Sequence, residues 1–301
     1  MTELDVVSPD GTRIRAWSND GEGIPVLLLP GNATTPEGFP SLMRADTGLR
    51  VLSYYMRGTF GSERPKDAGR IRVEHHVEDA VAVLDHAGVD RAVIVGWSLG
   101  VNSAFEFAMR YPERTLGVLA VGGVPGGTHA TLWHPLPLPR RVRSVLAYAV
   151  VGLGLVVGPL ATRATHLVPG TEATMRLLIR LGLFESSAPP AELAAFLSRV
   201  ARQDLRWVAT LARAGFEHTP MQNLHLIPVP VTFLAGSRDW LTSPRAIAAA
   251  AARIPHAVLH TLPATHIIGI EHPDRIVELV HETARQGGWG TPSDSMSAGT
   301  A

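Results

Sequence analysis

The chain has no cysteine. That absence excludes disulfides, thiolate metal sites and a cysteine nucleophile, and it fits a reducing compartment. There is no surplus of charge either: 27 Lys and Arg balance 27 Asp and Glu, so nothing in the composition points to a nucleic acid partner. The opening residues Met1-Thr2-Glu3-Leu4-Asp5 lack the basic and apolar stretches of a secretory signal, and a cytoplasmic location is expected. Aromatic residues make up only 6% against 46% hydrophobic residues overall. The core is therefore mostly aliphatic, and 301 residues suffice for one large domain with an insertion. No internal repeat is visible.

Apolar β-branched runs alternate with helical patterns, which predicts a mostly parallel sheet covered by helices. Strands are expected near 24–29, 50–54, 92–96, 116–121, 229–235 and 256–261, with covering helices over Val73–His86 and Ser98–Arg110. Residues 3–7 and 12–18 form a hairpin about the turn Ser8-Pro9-Asp10-Gly11. The pentapeptide Gly96-Trp97-Ser98-Leu99-Gly100 stands where a strand turns sharply into a helix. A turn tight enough to lift a serine above the sheet crowds the positions two residues to either side, and glycine lacks the Cβ that would clash there. Ser98 is the expected nucleophile, and Trp97 is expected to point into the core.

A serine hydroxyl is a poor nucleophile at neutral pH until an imidazole takes its proton and a carboxylate orients that imidazole. The strand Val229–Ala235 runs into Gly236-Ser237-Arg238-Asp239, which puts Asp239 at the carboxyl edge of the sheet. Residues 122–128, after the preceding strand, contain no acid. The strand Ala257–Leu262 is followed by Pro263-Ala264-Thr265-His266, and of 13 histidines His266 alone combines a post-strand loop with an upstream Asp in the matching loop. His75, His76, His86, His272 and His281 read as helical and surface-borne, His260 as a structural strand residue. His218 and His225 carry no clear assignment.

These residues resemble the α/β-hydrolase superfamily, in particular its cap-bearing, esterase-like branch. Ile24–Asn32 is similar to the family's strand and oxyanion loop, Tyr111-Pro112-Glu113-Arg114 to its helix end, and His266 with Glu271 and Pro273 to its His-x4-Glu-x-Pro ending. Two segments depart from it. Pro30-Gly31 replaces the usual His-Gly, and Tyr55-Met56-Arg57-Gly58-Thr59-Phe60-Gly61 replaces the usual Asp-x-Arg-Gly-x-Gly. The resemblance implies an eight-stranded, mostly parallel sheet with an inserted helical cap and no metal or cofactor. It also implies a Ser98–His266–Asp239 acyl-enzyme mechanism, with the backbone N–H groups of Leu99 and Asn32 as the oxyanion hole. A carboxylic ester or thioester of a hydrophobic small molecule is the expected substrate. C–C bond hydrolysis, lactone opening, perhydrolysis and ligand binding without turnover remain open on the same residues. Serine at the apex argues against epoxide hydrolases and haloalkane dehalogenases, which use Asp there.

The interval between Gly127 and Leu226 is too long for a loop. The core is expected over 1–127 and 226–288, a helical cap over 128–225 and a disordered tail over 289–301. Within the cap, Ser144–Thr162 carries no charge and is bracketed by Arg140, Arg141, Arg143 and Arg163. Its length could span a bilayer, but a single crossing would separate Ser98 from Asp239 and His266. Gly152, Gly154, Gly158 and Pro159 favour broken or closely packed helical segments that shield the triad and accommodate an acyl chain. A weak membrane-surface contact through the cap is the second reading.

Overall fold

A computed structural model describes residues 1–165, 170–218 and 222–290. Eight strands form one sheet: β1 Thr2–Val7, β2 Arg13–Ser18, β3 Ile24–Leu29, β4 Leu49–Tyr54, β5 Ala92–Trp97, β6 Thr115–Val121, β7 Val231–Gly236 and β8 Val258–Leu262. Their spatial order is β1-β2-β4-β3-β5-β6-β7-β8. The pairs β1–β2 and β2–β4 are antiparallel and the rest are parallel, so the carboxyl ends of β3 and β5–β8 share one edge.

The helices are α1 Val73–His86, α2 Gly100–Arg110, α3 Arg140–Thr165, α4 Glu172–Arg180, α5 Pro190–Ala201, α6 Leu205–Phe216, α7 Pro244–Ala251, α8 Ile268–Glu271 and α9 Pro273–Gln286. The two-residue period of the strands sorts their side chains to opposite faces. Ile94, Val118 and Phe233 pack with Val77 and Val83 of α1, Phe105 of α2 and Ile247 of α7. Val93, Leu119 and Leu234 pack on the other face with Ile276, Leu279 and Val280 of α9. Each such fully buried aliphatic side chain contributes about 1.5–3 kcal/mol relative to exposure.

His76 faces inward and is buried, against the surface position expected of it. It shares the stripe of Val73, Val77, Ala80 and Leu84 on α1, a helical spacing that faces the sheet. His75, His272 and His281 are half-buried and His86 is exposed. Trp289, expected in the disordered tail, packs against the α9 side of the core, and its backbone N–H donates to the carbonyl of Ala284 at 3.0 Å. The remainder of that tail, 291–301, lies outside the described residues.

Between β6 and β7 stand α3–α6. The side chain of Asp204 caps α6 by accepting from the N–H groups of Arg206 and Trp207, and Arg64 pairs with the same carboxylate at 2.6 Å. The indole of Trp207 donates to the carbonyl of Arg57 at 2.7 Å, and Asn32 Nδ2 donates to that of Val208 at 3.2 Å. Thus α6 lies directly on the loops that follow β3 and β4.

α3 is one continuous helix with Pro159 inside it, so of the broken or closely packed segments expected from its glycines the break is absent. Gly154 and Gly158 instead allow close approach to α6: a Cβ at Gly158 would lie 2.5 Å from the backbone nitrogen of Arg206, and one at Gly154 3.0 Å from the Cβ of Ala209. The expectation that this segment shields the triad is corrected too. Its inner residues Ala147 and Val151 pack with Ala209 and Phe216 of α6, so α6 stands between α3 and the loops that follow β3 and β4.

Candidate active site

The turn after β5 is built as its glycines require. Ser98 has φ +53°, a left-handed conformation that costs a non-glycine residue on the order of 1–3 kcal/mol and persists only where the surroundings impose it. For the same reason α2 begins at Gly100 and not at Ser98. A Cβ at Gly100 would lie 2.3 Å from the carbonyl of Leu29, and one at Gly96 2.8 Å from the Cβ of Ala104. The N–H of Ser98 donates to the carbonyl of Val121 at 2.9 Å, tying the apex to β6.

The structure brings the three side chains singled out in the sequence together. His266 Nε2 lies 2.9 Å from Ser98 Oγ, and His266 Nδ1 lies 2.8 Å from Asp239 Oδ2. Asp239 is fully buried, and its other oxygen accepts from the N–H groups of Leu241 and Thr242, each at 2.8 Å. Those bonds satisfy the carboxylate oxygen that His266 leaves free and fix the side chain in place. Gly122, at φ +55°, passes so close that a Cβ there would lie 3.6 Å from both Asp239 Oδ2 and His266 Nδ1.

Leu99 and Asn32 flank the serine from either side. A Cβ at Gly31 would lie 3.4 Å from the Cβ of Ser98, which places the Pro30-Gly31-Asn32 loop beside the nucleophile. The Cβ of a residue replacing Gly215 of α6 would lie 2.6 Å from the side chain of Leu99. The residue after the apex serine therefore packs directly under α6.

Several further residues hold the site in place. Glu271 is buried and accepts from Thr265 N–H at 2.7 Å, Thr265 Oγ1 at 2.8 Å and Glu185 N–H at 3.0 Å. It fixes the residue before His266 and joins that loop to the insertion. Trp97 is buried as expected, and its indole N–H also donates to the carbonyl of His266 at 3.1 Å. Phe39 and Phe196 stack about that indole at 5.2 and 5.7 Å. His134 of the insertion contacts the carbonyl of Asp239 through Nε2. Glu271 had a sequence signal in its spacing from His266 and Trp97 in its place before the apex serine, whereas Phe39, Phe196 and His134 had none.

The departing segment 55–61 is organised by Arg57, whose side chain is wholly buried. Its guanidinium forks onto Asp79 at 2.7 and 2.9 Å and reaches Asp10 at 2.5 Å. Burial works against ionising Asp79, but His76 and Arg57 outweigh it and hold the carboxyl below its ordinary value. Asp10 is lowered in the same way: burial opposes ionisation, and Thr12 and Arg57 overcome it. The cluster shapes the loop under Trp207 and touches none of the triad.

A cleft of about 960 Å³ lies beside the triad and not on it; Val124, His134, Arg140, Arg143, Ser243 and Arg245 are among its walls. A strand order with two antiparallel pairs at one edge, a positive-φ serine after β5 and an Asp and a His after β7 and β8 define a serine-centred α/β hydrolase architecture. Residues 24–273 match the model of the family described as alpha/beta hydrolase fold, and the chain belongs to that family. It is 28% identical over 285 residues to 2-hydroxymuconate semialdehyde hydrolase of Pseudomonas putida, covering 87% of each chain. Among solved structures it resembles an esterase from Exiguobacterium antarcticum (TM-score 0.74, 14% identity, 94% of this chain and 100% of that one). It also resembles the enol-lactonase from Burkholderia xenovorans LB400 (TM-score 0.71, 21% identity, 94% and 100%). Family and relatives make the protein a hydrolase.

Proposed function

We propose that the protein hydrolyses a carboxylic ester or thioester of a hydrophobic small molecule through an acyl-enzyme on Ser98. The continuous Ser98–His266–Asp239 chain, 2.9 and 2.8 Å long in its two links, carries this reading. Ser98 Oγ attacks the carbonyl carbon while its proton passes to His266 Nε2. The N–H groups of Leu99 and Asn32 stabilise the developing oxyanion, and His266 returns the proton to the departing alcohol. Water then attacks the acyl-enzyme by the same path, releasing the acid and restoring Ser98. Asp239 holds the imidazole tautomer and stabilises the imidazolium. Leu99, beside Ser98, packs under Gly215 of α6, and this apolar cover suits a hydrophobic acyl group.

A second reading, hydrolysis of a C–C bond next to a carbonyl, is favoured by the relative matched over most of its length, a 2-hydroxymuconate semialdehyde hydrolase. The two separate on a panel of p-nitrophenyl esters of increasing chain length, 2-hydroxymuconate semialdehyde and a lactone. Esters are expected to give the highest kcat/KM. A preference of about 100-fold or more for the semialdehyde, equivalent to nearly 3 kcal/mol of transition-state discrimination, would transfer the assignment to C–C hydrolysis. No turnover of any panel member would overturn both.

A further inference from the structure

We propose that the outward face of α3 docks on an anionic lipid surface, with the helix lying in the plane of the headgroups. α3 is apolar on both sides, and packing accounts for only one of them. Ala147, Val151 and Gly158 are buried against α6. On the opposite side Val145, Leu146, Val150, Leu153, Val156 and Leu160 are exposed, Val156 at 78% and Leu160 at 70%. Their spacing of three and four residues gathers them into one stripe along the helix. The helix is long and apolar enough to cross a membrane, yet only 17% of its most apolar stretch is buried. A helix whose outer face meets water is normally polar there.

The charges around the stripe identify what covers it. Arg140 and Arg141 at one end and Arg163 at the other are exposed, and the sequence has no Asp or Glu between Glu113 and Glu172. Arginines in the first turn face the positive end of the helix dipole and disfavour the helix, so helix stability does not explain them. A second copy of the chain fits poorly. Antiparallel pairing of two such helices sets Arg163 against Arg140 and Arg141, parallel pairing sets like against like, and neither helix carries a carboxylate to neutralise them. Anionic headgroups neutralise both ends at once while their acyl chains take up the leucines and valines.

The topology fixes the orientation. β6 and β7, before and after the insertion, are adjacent in the sheet with Val118 opposite Val231. A single crossing by α3 would pull them apart, and its inner face is already occupied by α6. The helix therefore lies along the surface and does not span it.

The test is flotation of the full chain with vesicles of phosphatidylcholine alone or with about a third phosphatidylglycerol. The protein is expected to float with the anionic vesicles at low salt, and about tenfold less with neutral vesicles or in about 0.5 M salt. The double variants Leu153→Glu/Val156→Glu and Arg140→Glu/Arg141→Glu are expected to lower recovery by a similar factor while melting like the parent protein. Absence of flotation, indifference to phosphatidylglycerol, or unchanged flotation of the leucine–valine variant would overturn the proposal. So would light scattering showing a dimer that the leucine–valine variant splits into monomers, which would assign the face to a second copy. None of these readouts depends on turnover, so failure here is separate from failure of the catalytic reading.

Discussion

The carboxyl edge of the sheet and the outer layer of the insertion solve opposite problems. At the sheet edge, Asp239 is wholly buried with both oxygens bonded, His266 is held at both ring nitrogens, and glycines admit backbone where no side chain fits. α3 is held along one side by Ala209 and Phe216 of α6 and exposes a row of leucines and valines on the other. The contrast separates two uses of apolar sequence. In β5 and β6 it builds a rigid platform that sets three polar groups within hydrogen-bond reach. In α3 half of it serves no interior at all. A polar substitution is therefore expected to be costly in the first region and nearly silent in the second.

Removing the nucleophile should separate the regions most sharply. Ser98→Ala is expected to lower ester turnover by about 10⁶ without lowering Tm, measured by p-nitrophenyl ester kinetics and a thermal melt. Asp239→Asn keeps the shape of the side chain but favours the wrong imidazole tautomer, and it is expected to cost about 10⁴ in kcat. Activity near that of the parent would place the orienting acid elsewhere.

Arg57→Met tests whether the platform is also structural away from the chemistry. It leaves buried Asp79 without its guanidinium and Asp10 with Arg70 alone, and is expected to destabilise the fold by about 3–5 kcal/mol, while turnover per folded molecule stays close to the parent's. Asp10 and Asp79 are held below their ordinary value of 3.8. The stability they contribute is thus fully present above that pH and is lost as pH falls through their lower values in the folded protein. The gap between parent and variant in urea melts is expected to narrow below about pH 4, where the carboxyls that have lost the Arg57 guanidinium protonate more readily. A gap that widens in acid would contradict the pairing. Leu153→Ser is the smallest effect, within about 0.5 kcal/mol in the absence of lipid; a loss of several kcal/mol would show that the stripe packs against protein.

The same division governs what the sequence made legible. The strand-turn-helix around Ser98 is a local matter of sterics, so Gly96 and Gly100 announced it, and the loops after β7 and β8 offered one acid and one well-placed histidine. His76 is equally legible, since it shares the helical period of Val77 and Ala80, but the period carries that signal and the residue type does not. The bonds from Glu271 to Glu185 and from Arg57 to Asp10 join residues far apart in the chain, and no local pattern encodes them. In α3 the glycines carried two meanings. A helix break and a close helix–helix approach have the same sequence signature, and the nearness of α6 decided for the second.

Reaction with a fluorophosphonate, followed by peptide mapping, tests most directly whether this geometry makes Ser98 a nucleophile. The serine oxygen should displace fluoride and leave one phosphonyl adduct on the peptide containing Ser98, with no labelling of the Ser98→Ala protein. An adduct on any other residue, or labelling that survives the substitution, would contradict the account.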